Sequence, residues 1–319
     1  MRKGQNPAKF VQGVAQPERV TVAVLSYIPF RAGFHAEALE VLEACLTSLW
    51  QNTPEPHDLL VFDNGSCAEA VSFLTRAHAQ GRIQFLLLSE RNLGKGGAWN
   101  VIFEAAPGEV IAYTDSDCLF YSGWLTRSLA LLEGFPRVGM VTSRPFRTSP
   151  ALYSGTLEWA ERTPEARLER GQFIPWEVFY EFDRSLGQSE AEIAARYRDT
   201  QDLRVTYQGL AAHIGASHYQ FVARKRVLQE FLPFAMDRPL GQVRQLDERL
   251  NAAGYLRLMT PEPLMTNLSN SLDGLPGRAP ARAPARPRGL HRRLLDLPPV
   301  RRVLLGLYDR VFRWYFADR

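Results

Sequence analysis

Asp115 and Asp117 stand one residue apart within the stretch Val110 to Trp124, VIAYTDSDCLFYSGW. Two carboxylates that close repel each other unless a cation neutralises them, and hard oxygen donors suit Mg²⁺ or Mn²⁺. A metal held there can bridge onto a diphosphate. The residues before the pair, Val110, Ile111, Ala112 and Tyr113, form a short, mostly apolar run with β-branched and aromatic members, as a buried parallel strand requires. The carboxyl end of such a strand is where open α/β sheets bind ligands. An acidic turn capping a helix that begins near Gly123 accounts for the same residues without a metal.

Three other stretches carry residues able to act on a substrate. Glu90 to Asn100, ERNLGKGGAWN, is a glycine-rich turn running into a helix. Glycines let a backbone approach a ligand closely, and a helix N-terminus beside Lys95 favours an anion. A structural loop with a tight helix entry fits it equally. It is neither the Walker pattern nor the dinucleotide fingerprint, because it follows the third expected strand and not the first. Asp247 and Glu248 lie inside the helix expected of GQVRQLDERLNAAGY, where a solvated surface pair is the plain alternative. His213 and His218, in HIGASHY, are minor candidates, since a lone histidine is more often structural than a ligand.

The elements that must position these residues are legible in order. Val20–Ser26 reads as a first strand, and Leu39, Leu42, Leu46 and Leu49 recur at helical spacing until Asn52 and Pro54. A second strand, Leu59–Phe62, runs into Asp63, with a helix over about Ala68–Gln80 and a third strand at Ile83–Leu88. After the acidic pair come a helix with Trp124, Leu125, Leu129 and Leu132 and a strand at Val138–Thr142. This alternation predicts a doubly wound parallel sheet with right-handed crossovers. Arg144–Thr206 breaks the rhythm with Trp159, Trp176, Phe179 and Tyr180: a lid, an acceptor-recognition insertion or a small core of its own. Strands return over Arg204–Val222, and helices follow at Arg224–Phe231 and near Gly241–Tyr255, the second with Val243, Leu246 and Leu250 on one face and Gly254 as its C-cap.

Composition narrows the class. The 319 residues, 45% hydrophobic and 23% charged, suffice for one large core or two smaller ones. No run approaches the roughly 18 to 20 apolar residues of a membrane span, and MRKGQNPAKFVQG lacks the apolar core of a signal peptide, so a cytoplasmic location is expected. Cys45, Cys67 and Cys118 have no Cys-X-X-Cys spacing, which argues against a disulfide framework or a zinc site. Of the net charge of +4, residues 275–319 hold eleven arginines against three aspartates, or +8, leaving the remainder at −4.

Taken together, VTVAVLSY, LLVFDNGS, ERNLGKGGAWN, the strand ending in Asp115 and Asp117, and LDERLNAAGYLRL resemble a family-2 glycosyltransferase of the GT-A type over roughly residues 18–270, in the family's order and at compatible distances. The resemblance implies a GT-A (Rossmann-like) α/β fold with a mixed, mainly parallel sheet and helices on both faces. It implies a nucleotide-sugar-binding half, 18–143, and an acceptor-binding and catalytic half, 144–270. The implied activity is transfer of a sugar from a nucleotide-diphosphate donor to a glycan or lipid-linked acceptor, with Mn²⁺ or Mg²⁺ as cofactor. Residue by residue, Asp63 would hydrogen-bond the donor's base or ribose, and Ser26 and Tyr27 would line the base pocket. Asn92, Gly94 and Lys95 would flank the nucleotide. Asp117 would ligate the metal directly, Asp115 would face the ribose or metal, and Asp247, with Glu248 as alternative, would be the catalytic base.

Elementary chemistry accounts for these residue types independently. A metal stabilises the charge left on a departing diphosphate, a carboxylate can take the acceptor's proton, and one base without a nucleophilic residue gives inversion. The chain departs from the family in two places: Asn267 stands where many members have a histidine able to complete the metal shell, and Asp-Glu replaces the common Glu-Asp. A sugar-phosphate nucleotidyltransferase shares the sheet type, but it would want a glycine-rich, arginine-bearing loop after the first strand, which YIPFRAG fits poorly. An inactive nucleotide-binding module is the non-enzymatic alternative.

The C-terminal part reads separately, as a Pro/Ala/Arg linker over 271–290 and a basic amphipathic helical tail over 291–319, with Val300, Val303, Leu304, Leu307 and Val311 on its apolar face. Such a helix suits an anionic membrane surface, peripheral on the inner face; docking on its own domain or on a second copy of the chain as a homodimer suits it equally. Positive charge confined to the tail argues against nucleic acid.

Overall fold

The computed structural model describes residues 4–237, 242–274 and 310. The tail and most of the linker expected over 271–319 lie outside the described residues, Arg310 apart. No helix among the described residues is long and apolar enough to cross a membrane.

Apolar runs and amphipathic helices alternate as β1 (Val20–Ser26), α1 (Ala38–Asn52), β2 (Asp58–Asn64), α2 (Ala68–Ala79), β3 (Phe85–Ser89), α3 (Gly94–Ala105) and β4 (Val110–Asp115). The four strands lie in the order β3-β2-β1-β4, all parallel. β1 is buried over its whole length because both faces are covered. Val20, Val22 and Val24 join one core with Leu42 and Leu46 of α1. Ala23 and Leu25 join another with Trp99 and Phe103 of α3. That period of two is the pleat of the strand.

Next come β5 (Cys118–Phe120), α4 (Trp124–Gly134) and β6 (Val138–Thr142). The irregular insertion folds as α5 (Ser154–Arg162), β7 (Arg167–Gly171), α6 (Trp176–Ser185) and α7 (Glu190–Asp199). It has the small core of its own that its aromatics suggested: Ile174, Phe179 and Ile193 are buried with Trp176, Tyr180 and Tyr197 packed against them. The chain closes with β8 (Asp202–Tyr207), β9 (Leu210–Ile214), β10 (Gln220–Arg224), α8 (Lys225–Gln229), α9 (Gln242–Ala252), β11 (Leu256–Met259) and β12 (Met265–Asn267).

Among the described residues the sheet has ten strands and is mixed, with helices on both faces. β10 inserts antiparallel between β4 and β6, β11 runs parallel to β6, and β9, β8 and β7 extend the edge as antiparallel pairs. β12 pairs with β5 in a separate ribbon that sets Asn267 opposite Cys118, beside the acidic pair.

Five aromatic rings fix α3 against the sheet. Trp99 and Phe103 stack at 5.5 Å between centroids, Tyr113 of β4 and Phe221 of β10 stack at 5.1 Å, and Phe234 meets Trp99 edge-on at 5.3 Å. This cluster sets where the first turn of α3, and hence Lys95, sits relative to Asp115. Truncating Phe103, which is fully buried, removes ring contacts that the sheet cannot close over. Phe103→Ala is expected to cost about 3–5 kcal/mol, read as a lower denaturant midpoint in urea unfolding; a change below about 1 kcal/mol would mean that the cluster does not anchor the helix.

Candidate active site

A cleft of about 370 Å³ opens at the carboxyl ends of the parallel strands, lined among others by Tyr27, Asn64, Asn92, Lys95, Asp115 and Asp117 and by Ser269 and Asn270 from the segment after β12. Five residues singled out in the sequence, Tyr27, Asn92, Lys95, Asp115 and Asp117, therefore share one cavity.

Asp115 is held on both oxygens. Tyr113, two residues back on the same face of β4, donates its hydroxyl to Oδ1 at 2.6 Å, and Lys95 Nζ lies 2.6 Å from Oδ2. Asp117 has no such cation to itself. Burial first, and then the neighbouring Asp115, push its carboxyl up to about 7, with Lys95, the backbone and Asn267 pulling the other way.

The described residues contain no cluster of three or more His, Cys, Asp or Glu that could hold a metal. The pair nevertheless fits Mg²⁺ or Mn²⁺, which one or two carboxylates hold while a phosphate-bearing substrate and water fill the remaining positions. The half-buried, under-compensated Asp117 is the observation that favours a cation there. Asn267, where many members of the family have a histidine, stands beside the acidic pair. Its Oδ1 accepts from the backbone N–H of Ser269 at 2.7 Å, and its side chain is one of the groups that pull the Asp117 carboxyl down against burial.

The glycine-rich turn is fastened by Asn64, which sequence reasoning passed over in favour of its neighbour. Asn64 Nδ2 donates to Asn92 Oδ1 at 2.9 Å and Asn64 Oδ1 accepts from the Leu93 N–H at 2.8 Å, while Asn92 Oδ1 also accepts from the Gly94 N–H at 2.7 Å. Gly65, at φ 86°, lets this happen: a Cβ there would lie 2.8 Å from the carbonyl carbon of Arg91. Gly94, at φ 69°, opens α3 beneath the cleft wall.

Ser26 and Asp63 are register partners on β1 and β2, and neither lines the cleft. Both are fully buried beneath it. Asp63 Oδ2 accepts from the Ser66 N–H at 3.0 Å, closing the turn, and its Oδ1 and the Ser26 hydroxyl have no partner. In this conformation Tyr27 and Asn64, each one residue further along its strand end, face the cavity in their place.

The helix α9 separates Asp247 from Glu248. Val243, Leu246 and Leu250 face inward, and position 247, four after 243, falls on the same stripe. Asp247 is 2% exposed, which overturns the surface-pair alternative. Glu248 is half exposed and bonds Arg244 at 2.7 Å. Asp247 Oδ1 accepts from Arg257 Nη2, and its Oδ2 lies 2.7 Å from His218 Nδ1. Arg257, fully buried in β11, also donates from Nη2 to the Ala216 carbonyl at 2.8 Å. Burial lowers the pKa of Arg257, and Asp247 opposes that shift. Asp247, His218 and Arg257 do not line the cleft; their link to the acidic pair runs through backbone, because the carbonyl of Tyr219, the residue after His218, accepts the Asp115 N–H at 2.8 Å. Arg257 was missed, although an arginine inside the apolar LRLM strand announces a buried acid.

His213 lies elsewhere. It lines a separate cavity of about 120 Å³ with Arg147 and Asp202, and burial pushes its pKa down to about 4.

With this geometry in view, comparison with known proteins supports the resemblance read from the sequence: residues 34–183 match the model of glycosyl transferase family 2. An uncharacterized glycosyltransferase of Nostoc sp., alr2836, is 27% identical over 100 residues, covering 31% of each chain. A mannosyltransferase of Pyrobaculum calidifontis, solved with GDP-Man and Mn²⁺, is similar at 18% identity and a TM-score of 0.45 over 78% of this chain and 56% of that one. Residues 1–349 of S. aureus TarS with UDP-GlcNAc give 13% and 0.45 over 80% and 61%. The chain thus spans under two thirds of the length of each of these relatives.

The Asp117 shift has a measurable consequence. A carboxyl whose folded pKa of about 7 exceeds its ordinary 3.8 binds protons more tightly in the folded state, so its contribution to stability is present at low pH and lost as pH rises through 7. With metal chelated, Asp117→Asn is expected to melt above the parent at about pH 8, the gap narrowing below about pH 7. Thermal unfolding across that range checks it, and a gap that does not change with pH would contradict it.

Proposed function

We propose that the chain is an inverting glycosyltransferase that moves a sugar from a nucleoside-diphosphate donor to a hydroxyl of a glycan or lipid-linked acceptor, using Mn²⁺ or Mg²⁺. The observation that carries this reading is the convergence of Asp115 and Asp117 with Asn92 and Lys95 on a single cleft at the carboxyl ends of parallel strands. Asp115 and Asp117 would hold the cation, which when bound neutralises charge developing on the leaving diphosphate.

The protein's own residues do the rest. Lys95, fixed by Asp115, presents a cation to the phosphates from the first turn of α3, where backbone N–H groups also favour an anion. Tyr27 and Asn64 form the wall on which the nucleoside would lie. The network built on Asp247 stands beside the acidic strand end and supplies the proton acceptor for the incoming hydroxyl. Direct attack by that hydroxyl, without a covalent sugar–enzyme intermediate, inverts the anomeric carbon. The eleven arginines of residues 275–319 favour an anionic membrane surface as the place of work, which is where a lipid-linked acceptor would be met.

GDP-mannose and UDP-GlcNAc, each with Mn²⁺, are suitable donors for the test, with water as acceptor and proton NMR to follow the released sugar. Both donors are α-linked, so metal-dependent release of nucleoside diphosphate with the β-anomer appearing first is expected. Release of the α-anomer would remove inversion. Absence of turnover across a panel of donors and metals would remove the transferase reading.

A further inference from the structure

We propose that the atom that takes the acceptor's proton is Nε2 of His218, with Asp247 and Arg257 as positioning residues. This assignment deepens the transferase reading and rests on it. Asp247 is poorly placed to act directly: its side chain is 3% exposed, and both oxygens are engaged, one by Arg257 and the other by His218. His218 is the member of the network that reaches solvent, with 32% of its side chain exposed. Its Nε2 makes no hydrogen bond among the described residues.

The tautomer follows from the partners. A carboxylate that accepts from a guanidinium on one oxygen accepts on the other as well, so the proton of the 2.7 Å contact sits on His218 Nδ1. That leaves the lone pair on Nε2, the arrangement in which an aspartate orients a histidine and stabilises the imidazolium it becomes. In the step itself the acceptor O–H bond breaks and its proton goes to Nε2. The acceptor oxygen bonds the anomeric carbon, and the bond from that carbon to the diphosphate oxygen breaks with its electron pair leaving on the diphosphate. The imidazolium then returns the proton to solvent.

The ring is held in register with the acidic pair by backbone. Arg257 binds both the Asp247 carboxylate and the carbonyl of Ala216, two residues before His218, and its own carbonyl accepts the Gly215 N–H at 2.9 Å. Ser217 donates its N–H to Thr142 Oγ1 at 2.8 Å, and the Tyr219 carbonyl takes the Asp115 N–H. The residues on either side of His218 are therefore tied to β6 and to β4, and one guanidinium sets both the carboxylate and the segment that bears the ring.

The test uses His218→Ala and His218→Gln in the full chain, with Mn²⁺ and whichever of GDP-mannose or UDP-GlcNAc the parent cleaves. Both variants are expected to lose kcat by about a hundredfold or more with the donor KM unchanged. Added imidazole is expected to restore turnover to His218→Ala, which leaves a hole for it, and not to His218→Gln. A parental kcat in either variant, or a loss that raises KM and ignores imidazole, would overturn the assignment while leaving the transferase reading intact. A parent that cleaves no donor would overturn that reading and this assignment with it.

Discussion

Setting two like charges, both half-buried, one residue apart at the end of one strand is the constraint that the rest of the site answers. Asp115 ends a strand covered on both faces and Asp117 follows it, and burial and the neighbouring Asp115 push the Asp117 carboxyl up to about 7. Each surrounding element supplies something against that cost. β4 itself contributes the Tyr113 hydroxyl, α3 brings Lys95, and the β12 ribbon brings Asn267. None of these supplies a full charge to Asp117. A divalent cation shared with a diphosphate would, and the cleft in front of the pair has room for a nucleotide.

A fully buried ion pair is handled differently. Arg257 and Asp247 are both almost wholly removed from water, an arrangement whose desolvation often outweighs the attraction between the partners. Its return is better sought in geometry than in stability: the pair fixes the loop between β9 and β10. That segment matters because β10 runs antiparallel beside β4, so its beginning lies at the end of β4 that carries the acidic pair. The two charge problems are solved on neighbouring strands, joined by the hydrogen bond from the Asp115 N–H to the Tyr219 carbonyl.

Much of this was legible beforehand, for identifiable reasons. Parallel strands buried on both faces read as unbroken apolar runs, and α1 and α4 carry leucines at helical spacing, so the order up to Val138–Thr142 is legible in the sequence apart from β5, whose three residues are too few to leave a pattern. The insertion of β10 between β4 and β6 could not, because strand pairing across a hundred residues leaves no local trace. The edge strand β7, with Arg167, Glu169 and Arg170 in five residues, lacks the apolar content that marks a strand. At the site, residue types were easier to read than directions. Asp63 and Asn64 are adjacent, and only the observed pleat distinguishes the buried carboxylate from the amide that faces the cleft. The choice between Asp247 and Glu248, by contrast, was already contained in the periodicity, since 243, 246, 247 and 250 share a stripe that excludes 248.

The central claim is that Asp117 and its neighbour bind a diphosphate through a cation. Calorimetric titration of GDP and UDP into the parent chain and into Asp117→Asn, with Mn²⁺ and after chelation, addresses it most directly. The parent is expected to bind one of these nucleotides only when the cation is present, and the variant to lose that binding. Nucleotide affinity that is the same in both chains, with and without Mn²⁺, would contradict it.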